Sequence, residues 1–455
     1  PLSVDAMLNR LASFFVRIVE RWMPDPFLFC VLLTVLCYAL ALGLTDTGAG
    51  QLVGHWYNGI WEILTFAMQM ILVLLTGYTL AASRPVRRLL ENLASLPRHQ
   101  GSAIVLLVGV SLLAALLHWG FALVASALLA QEMGRKVPDC DFGFLVAGAY
   151  SGFVIWGSGL SSSIALVSAT EGSAMNFIAR YTGRAATPLN ETLFTSYNFA
   201  LVLATLLLLP LMFRLMMPRG SQIRPVEPAL FAPSEAESPA GSAAVAARTP
   251  ATRLEQSWLV TLALVALGGV YLVRHFARAG FTLDLKIVIL LFFVLGLALH
   301  VRPIRYVQAF NQAARVAGPL ALQYPLYGGI MGMMHYSGLA EVISQGFVSL
   351  ASATTFPFFC FLSAALINFF IPSGGGHWVV QGPFLVPAAQ QLGVSSAVTA
   401  MAVAFGDQTA NMVQPFWALP ILAIARLSVR DIMGYCLMTF LLSSLLSTLV
   451  LFLLV

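Results

Sequence analysis

The feature that most constrains this chain is a short signature that occurs in two apolar stretches. The first copy is Leu117-His118-Trp119-Gly120-Phe121, and the second is Pro372-Ser373-Gly374-Gly375-Gly376-His377-Trp378. The match continues without a gap, since Ala130, Gln131 and Gly134 fall on Ala389, Gln390 and Gly393. In each copy an apolar run leads into His-Trp, and we expect the membrane helix to be interrupted there instead of continuing. A membrane protein built twice from one interrupted unit is typical of secondary transporters, with the binding site where the two breaks meet.

Composition defines the class of protein. The chain has 455 residues, of which 59% are hydrophobic and only 9% are charged, whereas soluble domains carry about 25% charged residues. This predicts a polytopic α-helical membrane protein whose surroundings are the lipid bilayer. The net charge of +5 does not indicate a nucleic-acid partner, because the basic residues lie in short loops between apolar runs. The five cysteines are scattered without CxxC spacing, which argues against a metal site or a disulfide framework.

Apolar runs of about 17–25 residues are long enough to cross a bilayer as helices. Two longer apolar stretches, 102–134 and 356–392, contain the His-Trp signatures. The remaining runs predict nine spans, near 27–44, 61–83, 141–170, 192–216, 257–274, 284–301, 317–336, 396–425 and 431–455.

The basic residues predict orientation, because cytoplasmic loops are enriched in Lys and Arg. Arg10, Arg17 and Arg21 place the N-terminus inside, and loop 45–60, without Lys or Arg, lies outside. A re-entrant hairpin at 102–134 returns the following basic residues to the inside. The stretch 316–425 contains no Lys or Arg, so hairpin 356–392 enters from outside. The prediction is about nine crossings, N-terminus in and C-terminus out. Four residues in outside loops contradict the rule: Arg180, Arg184, Arg274 and Arg278.

The segments divide into two units with the same internal order. Span 61–83, hairpin 102–134 and spans 141–170 and 192–216 form one unit. Span 317–336, hairpin 356–392 and spans 396–425 and 431–455 form the other. Because one unit begins outside and the other inside, we predict two inverted repeats, each with a re-entrant hairpin and a broken helix.

Four regions follow from this division. Residues 1–26 form an amphipathic N-terminal segment that lies on the cytoplasmic membrane surface. Residues 27–216 form the first repeat half and residues 257–455 the second. Between them, 217–256 is rich in Pro, Ala, Ser and Glu and cannot bury a core, which predicts a flexible cytoplasmic linker. A regulatory segment is the alternative there.

Binding chemistry is expected at the breaks, because a membrane helix is interrupted only where its backbone is buried or lines a cavity. Besides the two hairpin tips, breaks are predicted at 150–163 and 406–415. Each break exposes a half-helix N-terminus suited to an anion and oxygen atoms suited to a cation. Close helix packing is the alternative role for the glycines and serines. The predicted substrate-binding residues are His118, Trp119, Ser161, Ser162, Ser373, Gly374, Gly375, Gly376, His377, Trp378, Thr409 and Asn411.

The coupling ion is expected near Asp407, one of only two acidic residues between Val316 and Ala425. An acid inside a membrane span is a functional candidate, here as a cation ligand or a proton carrier, and a structural cap is the alternative. The predicted coupling-ion residues are Asp407, Gln408, Ser151 and Ser158. We expect no cofactor and no metal beyond Na⁺, with Na⁺ or H⁺ as the coupling ion.

The histidines and tryptophans of the breaks have two readings. His118 and His377 either carry protons or hold their loops as buried neutral imidazoles. Trp119, Trp156, Trp378 and Trp417 either wall an apolar pocket or pack in the core.

Two motifs resemble the bacterial short-chain fatty acid transporter family of the acetoacetate/butyrate type. They are Asn-Phe-Phe-Ile-Pro-Ser-Gly-Gly-Gly-His-Trp-Val-Val-Gln-Gly-Pro at 368–383 and Gly-Asp-Gln-Thr-Ala-Asn-Met-Val-Gln-Pro-Phe-Trp at 406–417. The resemblance spans nearly the whole chain and places it in the wider ion-transporter superfamily. It implies uptake of small monocarboxylates, a homodimer, an elevator motion and the bacterial inner membrane. Dicarboxylate-carrying relatives have Ser-Asn-Thr at their hairpin tips, so their ligand residues cannot be carried over to this chain.

The charges of the predicted centre agree with a monoanion, since it contains no Lys or Arg. We expect a symporter, not an enzyme, and another small organic anion is the alternative substrate. The rivals from other classes are an intramembrane hydrolase, for which no HExxH or GxSxG motif is present, and a channel.

Overall fold

The structure is a computed structural model of the chain and describes residues 4–22, 24–137, 139–173, 175–220, 223–224, 249–280, 285–315 and 317–455. Within these ranges the regular structure is helical and contains no strand. This confirms the predicted all-α class. Most of the predicted linker 217–256 lies outside the described residues.

The part before the linker contains eleven α-helices. They are α1 (Val4–Trp22), α2 (Pro26–Leu44), α3 (Ala49–Glu62), α4 (Leu64–Ala81), α5 (Arg84–Ala94), α6 (Gln100–Leu117), α7 (Trp119–Lys136), α8 (Phe142–Ser151), α9 (Ser163–Ser168), α10 (Phe177–Thr182) and α11 (Ser196–Leu215). Two 3-10 segments, Gly152–Ser158 and Leu189–Glu191, lie among them.

The first of the other eleven described α-helices lies in the last residues of the predicted linker, and the remaining ten follow the linker. They are α12 (Pro250–Glu255), α13 (Trp258–Ala279), α14 (Leu285–His300), α15 (Pro303–Ala314), α16 (Gly318–Tyr336), α17 (Leu339–Val348), α18 (Phe356–Asn368), α19 (Gly374–Gln391), α20 (Ser396–Ala410), α21 (Ala418–Ala425) and α22 (Val429–Leu453). A 3-10 segment, Asn411–Val413, separates α20 from α21.

Seven helical segments of the described chain are long and apolar enough to cross a membrane. Six coincide with predicted spans, and the seventh is α6, which was predicted as a hairpin arm. The predicted spans at 284–301, 317–336 and 396–425 correspond to α14, α16 and the broken pair α20–α21. A multi-pass membrane protein is therefore confirmed, whereas the count of nine crossings, their orientation and the inverted symmetry stay predictions.

Both predicted hairpins are pairs of helices with a short interruption. Helices α6 and α7 pack against each other and are separated only by His118, whose backbone is extended. Its imidazole Nδ1 accepts a hydrogen bond from the backbone N–H of Gly120 at 3.0 Å, which caps α7. Each arm has 18 residues and is therefore about 27 Å long. Helices α18 and α19 form the second pair, with Phe369–Ser373 between them.

The His-Trp signature occupies different positions in the two pairs, contrary to the expectation that each copy leads into a break. In the first copy His118 is itself the break. In the second, the break precedes Gly374, and His377 lies in the first turns of α19. The three glycines, expected to be a non-helical tip, form the first turn of that helix. Ser373 is the N-cap of α19 and accepts a hydrogen bond from the N–H of Gly376 at 3.4 Å. This cap stabilises a first helical turn made of glycines.

The spans that follow the hairpins are broken in both halves. Helix α8 continues as the 3-10 segment Gly152–Ser158 before α9, and α20 ends at Ala410, after which α21 begins. In each half the first hairpin arm packs on the broken helix: α6 on the 3-10 segment, and α18 on α20. Glycines allow the close approach, because a Cβ at Gly159 would lie 2.6 Å from Leu116 and one at Gly406 would overlap α18.

The region predicted as the outside loop 45–60 is mostly helix α3. It packs along α16, where a Cβ on Gly59, Gly328 or Gly332 would collide with the facing backbone. Small residues of this kind permit backbone-to-backbone packing of membrane helices. The hydropathy pattern missed α3 because its polar residues interrupt the apolar run.

Helix α1 is docked on the protein as well as being amphipathic. Ala12 and Val19 are buried, and α1 packs on α22 and the end of α11. Ion pairs join Asp5 to Arg219 at 2.9 Å and Glu20 to Arg224 at 2.7 Å. The start of α22, the end of α11 and α1 therefore lie on the same side of the molecule.

Candidate functional site

A buried carboxylate lies where three elements of the second half meet. Asp407, in the last turn of α20, is 1% exposed. Its Oδ1 accepts a hydrogen bond from Asn368 Nδ2 at 2.5 Å and lies 3.2 Å from His377 Nδ1. Asn368 ends α18 and His377 lies near the start of α19. The two helices on either side of the second interruption, α18 and α19, therefore each contribute one polar contact to the carboxylate.

The polar cluster extends into the first half of the chain through Asn411. Its Nδ2 donates to Asn368 Oδ1 at 3.2 Å, and its Oδ1 accepts from Trp156 Nε1 at 3.0 Å. The Tyr150 hydroxyl donates to the Asn411 carbonyl at 2.6 Å. The broken helices of the two halves are thus joined by one chain of hydrogen bonds.

The first residue of α19 is pressed against this cluster. A Cβ on Gly374 would lie 2.6 Å from Ser163 Oγ, 2.7 Å from Trp156 Cη2 and 3.2 Å from Asp407 Oδ2. Only a residue without a side chain fits there without displacing its neighbours. The N-terminus of α19, with its outward-pointing N–H groups, is consequently adjacent to the carboxylate.

Some polar atoms of the cluster have no hydrogen-bond partner among the described residues. These are Asp407 Oδ2, His377 Nε2 and Ser162 Oγ, and all three belong to buried residues. Buried polar groups are normally paired, so unpaired ones at the meeting point of two broken helices indicate a place where another species binds.

Aromatic rings connect the first hairpin tip to this cluster. Trp119 stacks on His118, with ring centroids 5.4 Å apart, and meets Trp417 edge-on at 5.0 Å. Trp417 in turn lies 5.5 Å from Phe153 and 6.4 Å from Trp156. Trp156 also lies against Gly374. The interruptions of the two helix pairs are therefore connected through a series of aromatic rings.

A cavity of about 340 Å³ lies beside the second tip. It is bounded by α3 and α4 on one side, α16 on another and the start of α19 on the third. Its polar lining includes Ser373, Glu62, His335 and Tyr336, and its apolar lining includes Ile63, Phe66, Met331, Val379 and Val380. The Tyr336 hydroxyl donates to Glu62. The cavity therefore has both polar and apolar lining and adjoins the N-terminus of a helix.

Several predicted site residues lie near the Asp407 cluster but make their hydrogen bonds and contacts with other residues. Ser158 and Gln408 hydrogen-bond to each other at 3.2 Å. Ser161 Oγ accepts from the Trp119 N–H at 3.0 Å and so ties the first broken helix to the first tip. Gly375 and Gly376 face Met175 and Met331. These residues surround the cluster without contacting the carboxylate.

Three predicted site residues are oriented elsewhere. Thr409 hydrogen-bonds to Ser443 on α22 at 2.7 Å, and Ser151 accepts from Thr439 on the same helix at 2.8 Å. Trp378 is fully buried and packs on Phe177. The helical period explains Thr409, because a residue two positions after Asp407 projects from a different face of α20.

Sequence reasoning missed Asn368, which had been noted only as the first residue of a motif. Its signal was present, because a side-chain amide in an otherwise apolar run must find partners in a membrane. Ser163 and the cavity-lining residues of α3 and α16 were also missed. They become site residues only through packing between elements distant in sequence.

Together these features define a multi-pass α-helical membrane protein with broken helices that converge on a buried polar cluster, an arrangement typical of secondary transporters. The sequence model of the family described as "Short chain fatty acid transporter" matches residues 7–454. The chain belongs to this family.

Two relatives support the assignment. The chain is 42% identical over 440 residues to a protein of Escherichia coli (strain K12), covering 96% of this chain and 98% of the relative. It is 39% identical over 432 residues to one of Haemophilus influenzae, covering 94% and 96%. Both are named "Putative short-chain fatty acid transporter". The crystal structure of the Alcanivorax borkumensis YdaH transporter aligns with 95% of this chain and 97% of its own at 16% identity, with a TM-score of 0.43.

Proposed function

We propose that this protein takes up short-chain monocarboxylates of the butyrate and acetoacetate class by symport with Na⁺ or H⁺. We place it in the bacterial inner membrane, as a homodimer with elevator-type alternating access. The family and the names of the two relatives support a short-chain fatty acid as the substrate class.

The cavity at the start of α19 is the observation that carries the proposal. Ser373 and Gly376 line it, so the cavity adjoins the N-terminus of α19, whose partial positive charge suits a carboxylate. Ile63, Phe66 and Met331 line the remainder and suit a short acyl tail. Its volume of about 340 Å³ is near the lower end of ligand pockets, roughly 300–1,000 Å³.

The charges favour a monoanion over a dianion. Residues 316–425 contain no Lys or Arg, and no Lys or Arg is among the described residues that line the cavity, so the N-terminus of α19 is the source of positive charge that we assign to the site. A helix N-terminus carries about half an elementary charge, which suits one carboxylate group better than two.

Coupling to a cation follows from the membrane potential. Moving one anion into a cell that is negative inside costs about 2.3 kcal/mol per 100 mV. A cation that moves with the anion removes this cost, and the Asp407 cluster is the place in the site with the chemistry to hold one.

The experiment is uptake of labelled butyrate into proteoliposomes, with protein-free liposomes as the control. Uptake that saturates with butyrate, together with counterflow of labelled substrate, supports a carrier and contradicts a channel. Competition by acetate, acetoacetate and hexanoate then ranks chain length. Absence of uptake and counterflow for every monocarboxylate tested would refute the proposed substrate class.

A further inference from the structure

We propose that Asp407 and His377 together bind one proton, and that H⁺ rather than Na⁺ is the coupling ion. The proposal rests on the proposed function and names the ion for it. It is based on which atoms surround the carboxylate, which atoms lack partners, and where the substrate's charge would lie.

The atoms nearest the carboxylate are suited to a proton rather than to a sodium ion. Hard metal cations take several oxygen ligands, but Asp407 Oδ1 faces two nitrogens, Asn368 Nδ2 and His377 Nδ1. The neighbouring amide oxygens of Asn368 and Asn411 each already accept one hydrogen bond, from Asn411 Nδ2 and Trp156 Nε1.

The two unpaired atoms give a proton two places to bind. One is Asp407 Oδ2, and the other is His377 Nε2. With His377 neutral, its Nδ1–H donates to Oδ1 and the added proton resides on Oδ2. With the proton on the imidazole, the cation faces the carboxylate. Both forms have a net charge of zero, whereas loss of the proton leaves a net charge of −1 on the pair.

No other charged group balances this pair within 316–425, where Asp407 and Glu341 are the only acids and no Lys or Arg occurs. Elements packed on α20 carry few further titratable side chains: Cys360 on α18, and Arg430, Asp431, Tyr435 and Cys436 on α22. Asp431 caps the start of α22 by accepting from Ser428, and Tyr435 packs on Phe144 of α8. An ionised carboxylate without the proton would therefore be an isolated buried charge, which is costly, whereas the proton-bound pair carries no net charge.

Proton and substrate are coupled through Gly374. It begins α19, and its Cβ position would be only 3.2 Å from Asp407 Oδ2. The carboxylate therefore adjoins the same helix N-terminus whose Ser373 and Gly376 line the proposed carboxylate site. An anion bound there and an ionised Asp407 would repel each other. Binding of the proton removes the repulsion, and by reciprocity a bound anion strengthens proton binding. The substrate anion and the proton therefore bind together and leave together.

The test uses the full chain in proteoliposomes with two arms. One arm has an inward H⁺ gradient without Na⁺, and the other has an inward Na⁺ gradient at equal pH. Accumulation is counted above that of protein-free liposomes under the same gradient, because butyric acid crosses bilayers by itself and follows a pH difference. We expect such protein-dependent accumulation of labelled butyrate in the H⁺ arm only. We also expect the apparent KM for butyrate to rise by up to about tenfold per pH unit once the pair loses its proton.

Asp407→Asn imitates the protonated, neutral carboxyl group. It should abolish accumulation in the H⁺ arm and remove the pH dependence of KM. Counterflow, which requires no proton release, should still exceed that of protein-free liposomes. The matched control is Glu341→Gln, which neutralises the other acid of this region, a residue on α17 whose carboxylate accepts from Gln345. It should behave like the wild type.

The outcomes separate the proton assignment from the proposed function. Accumulation driven by Na⁺ alone, or H⁺-driven accumulation by Asp407→Asn, would overturn the proton assignment and leave transport intact. Absence of uptake and counterflow in all arms would refute the proposed function. Infrared spectra of the purified wild type are compared with those of Asp407→Asn and of His377→Gln, so that one variant suffices if the other does not fold. A protonated carboxyl band or an imidazolium band at neutral pH that the variant loses would support the proton assignment, and absence of both bands would refute it.

Discussion

The fit of Gly374 against the Asp407 cluster gives a quantitative prediction for Gly374→Ala. The new methyl group would lie 2.6 Å from Ser163 Oγ and 2.7 Å from Trp156 Cη2, well inside van der Waals contact. The indole of Trp156 is held by its hydrogen bond to Asn411 and cannot turn away freely. The strain should therefore move the start of α19 away from Asp407.

The magnitude follows from two opposing terms. Overpacking of a buried site costs about 1–3 kcal/mol, and replacing glycine by alanine in a helix recovers up to about 1 kcal/mol. The difference spans about 0–3 kcal/mol, and its middle value of about 1.5 kcal/mol corresponds to a factor of roughly ten in an equilibrium constant. If the strain is relieved by displacement of the tip, butyrate uptake should fall by that factor.

The assay is the initial rate of labelled butyrate uptake per reconstituted protein, with the thermal unfolding midpoint in detergent measured beside it. Gly109→Ala is the matched control, because Gly109 lies within α6 and a Cβ there has no neighbour within 4 Å. It should keep wild-type uptake. Gly374→Ala with wild-type uptake and an unchanged midpoint would show that the tip does not depend on this contact.

Three further predictions concern other parts of the structure. Asn368→Ala removes a donor to the Asp407 carboxylate, worth about 1.5–3 kcal/mol, and should lower butyrate uptake at least about tenfold at equal protein content. Val380→Phe narrows the cavity and should remove competition by butyrate while acetate still competes. In the surface pair, hydrogen bonding from Arg184 lowers the pKa of the Glu191 carboxyl below its usual 4.5. A lowered pKa stabilises the fold at neutral pH and loses this effect in acid, so the unfolding midpoints of wild type and Glu191→Gln should differ near neutrality and converge below pH 4.5.

The ion pair of Arg184 also bears on the predicted orientation. Arg184 lies in a loop predicted to be outside, against the positive-inside rule. Glu191 binds it through two hydrogen bonds, at 2.8 and 2.5 Å, so the pair has no net charge. Because the positive-inside rule counts Lys and Arg and gives acidic residues little weight, Arg184 still contradicts it, and the orientation stays a prediction.

The sequence by itself determined the class, the family and the places where helices are interrupted. Hydropathy over windows of helix length is a local property, so spans such as α2, α11 and α22 lie close to the predicted bounds. The breaks at His118 and at 150–163 could be predicted because Gly, Ser and His in an apolar run have local conformational consequences. Asp407 was found for the same reason, since an acid in an apolar run is conspicuous.

Only the tertiary structure decided which polar residues meet. Asn368, Asp407 and Asn411 come together because α18 packs on α20, and Trp156 joins them from the other half. The two His-Trp signatures align residue by residue, which suggested equivalent roles for their histidines. In the structure, His118 caps α7 by accepting from the Gly120 N–H, whereas His377 contacts the Asp407 carboxylate. Sequence spacing fixes the face of a helix on which a side chain lies, whereas its partner depends on how two helices approach each other across the fold.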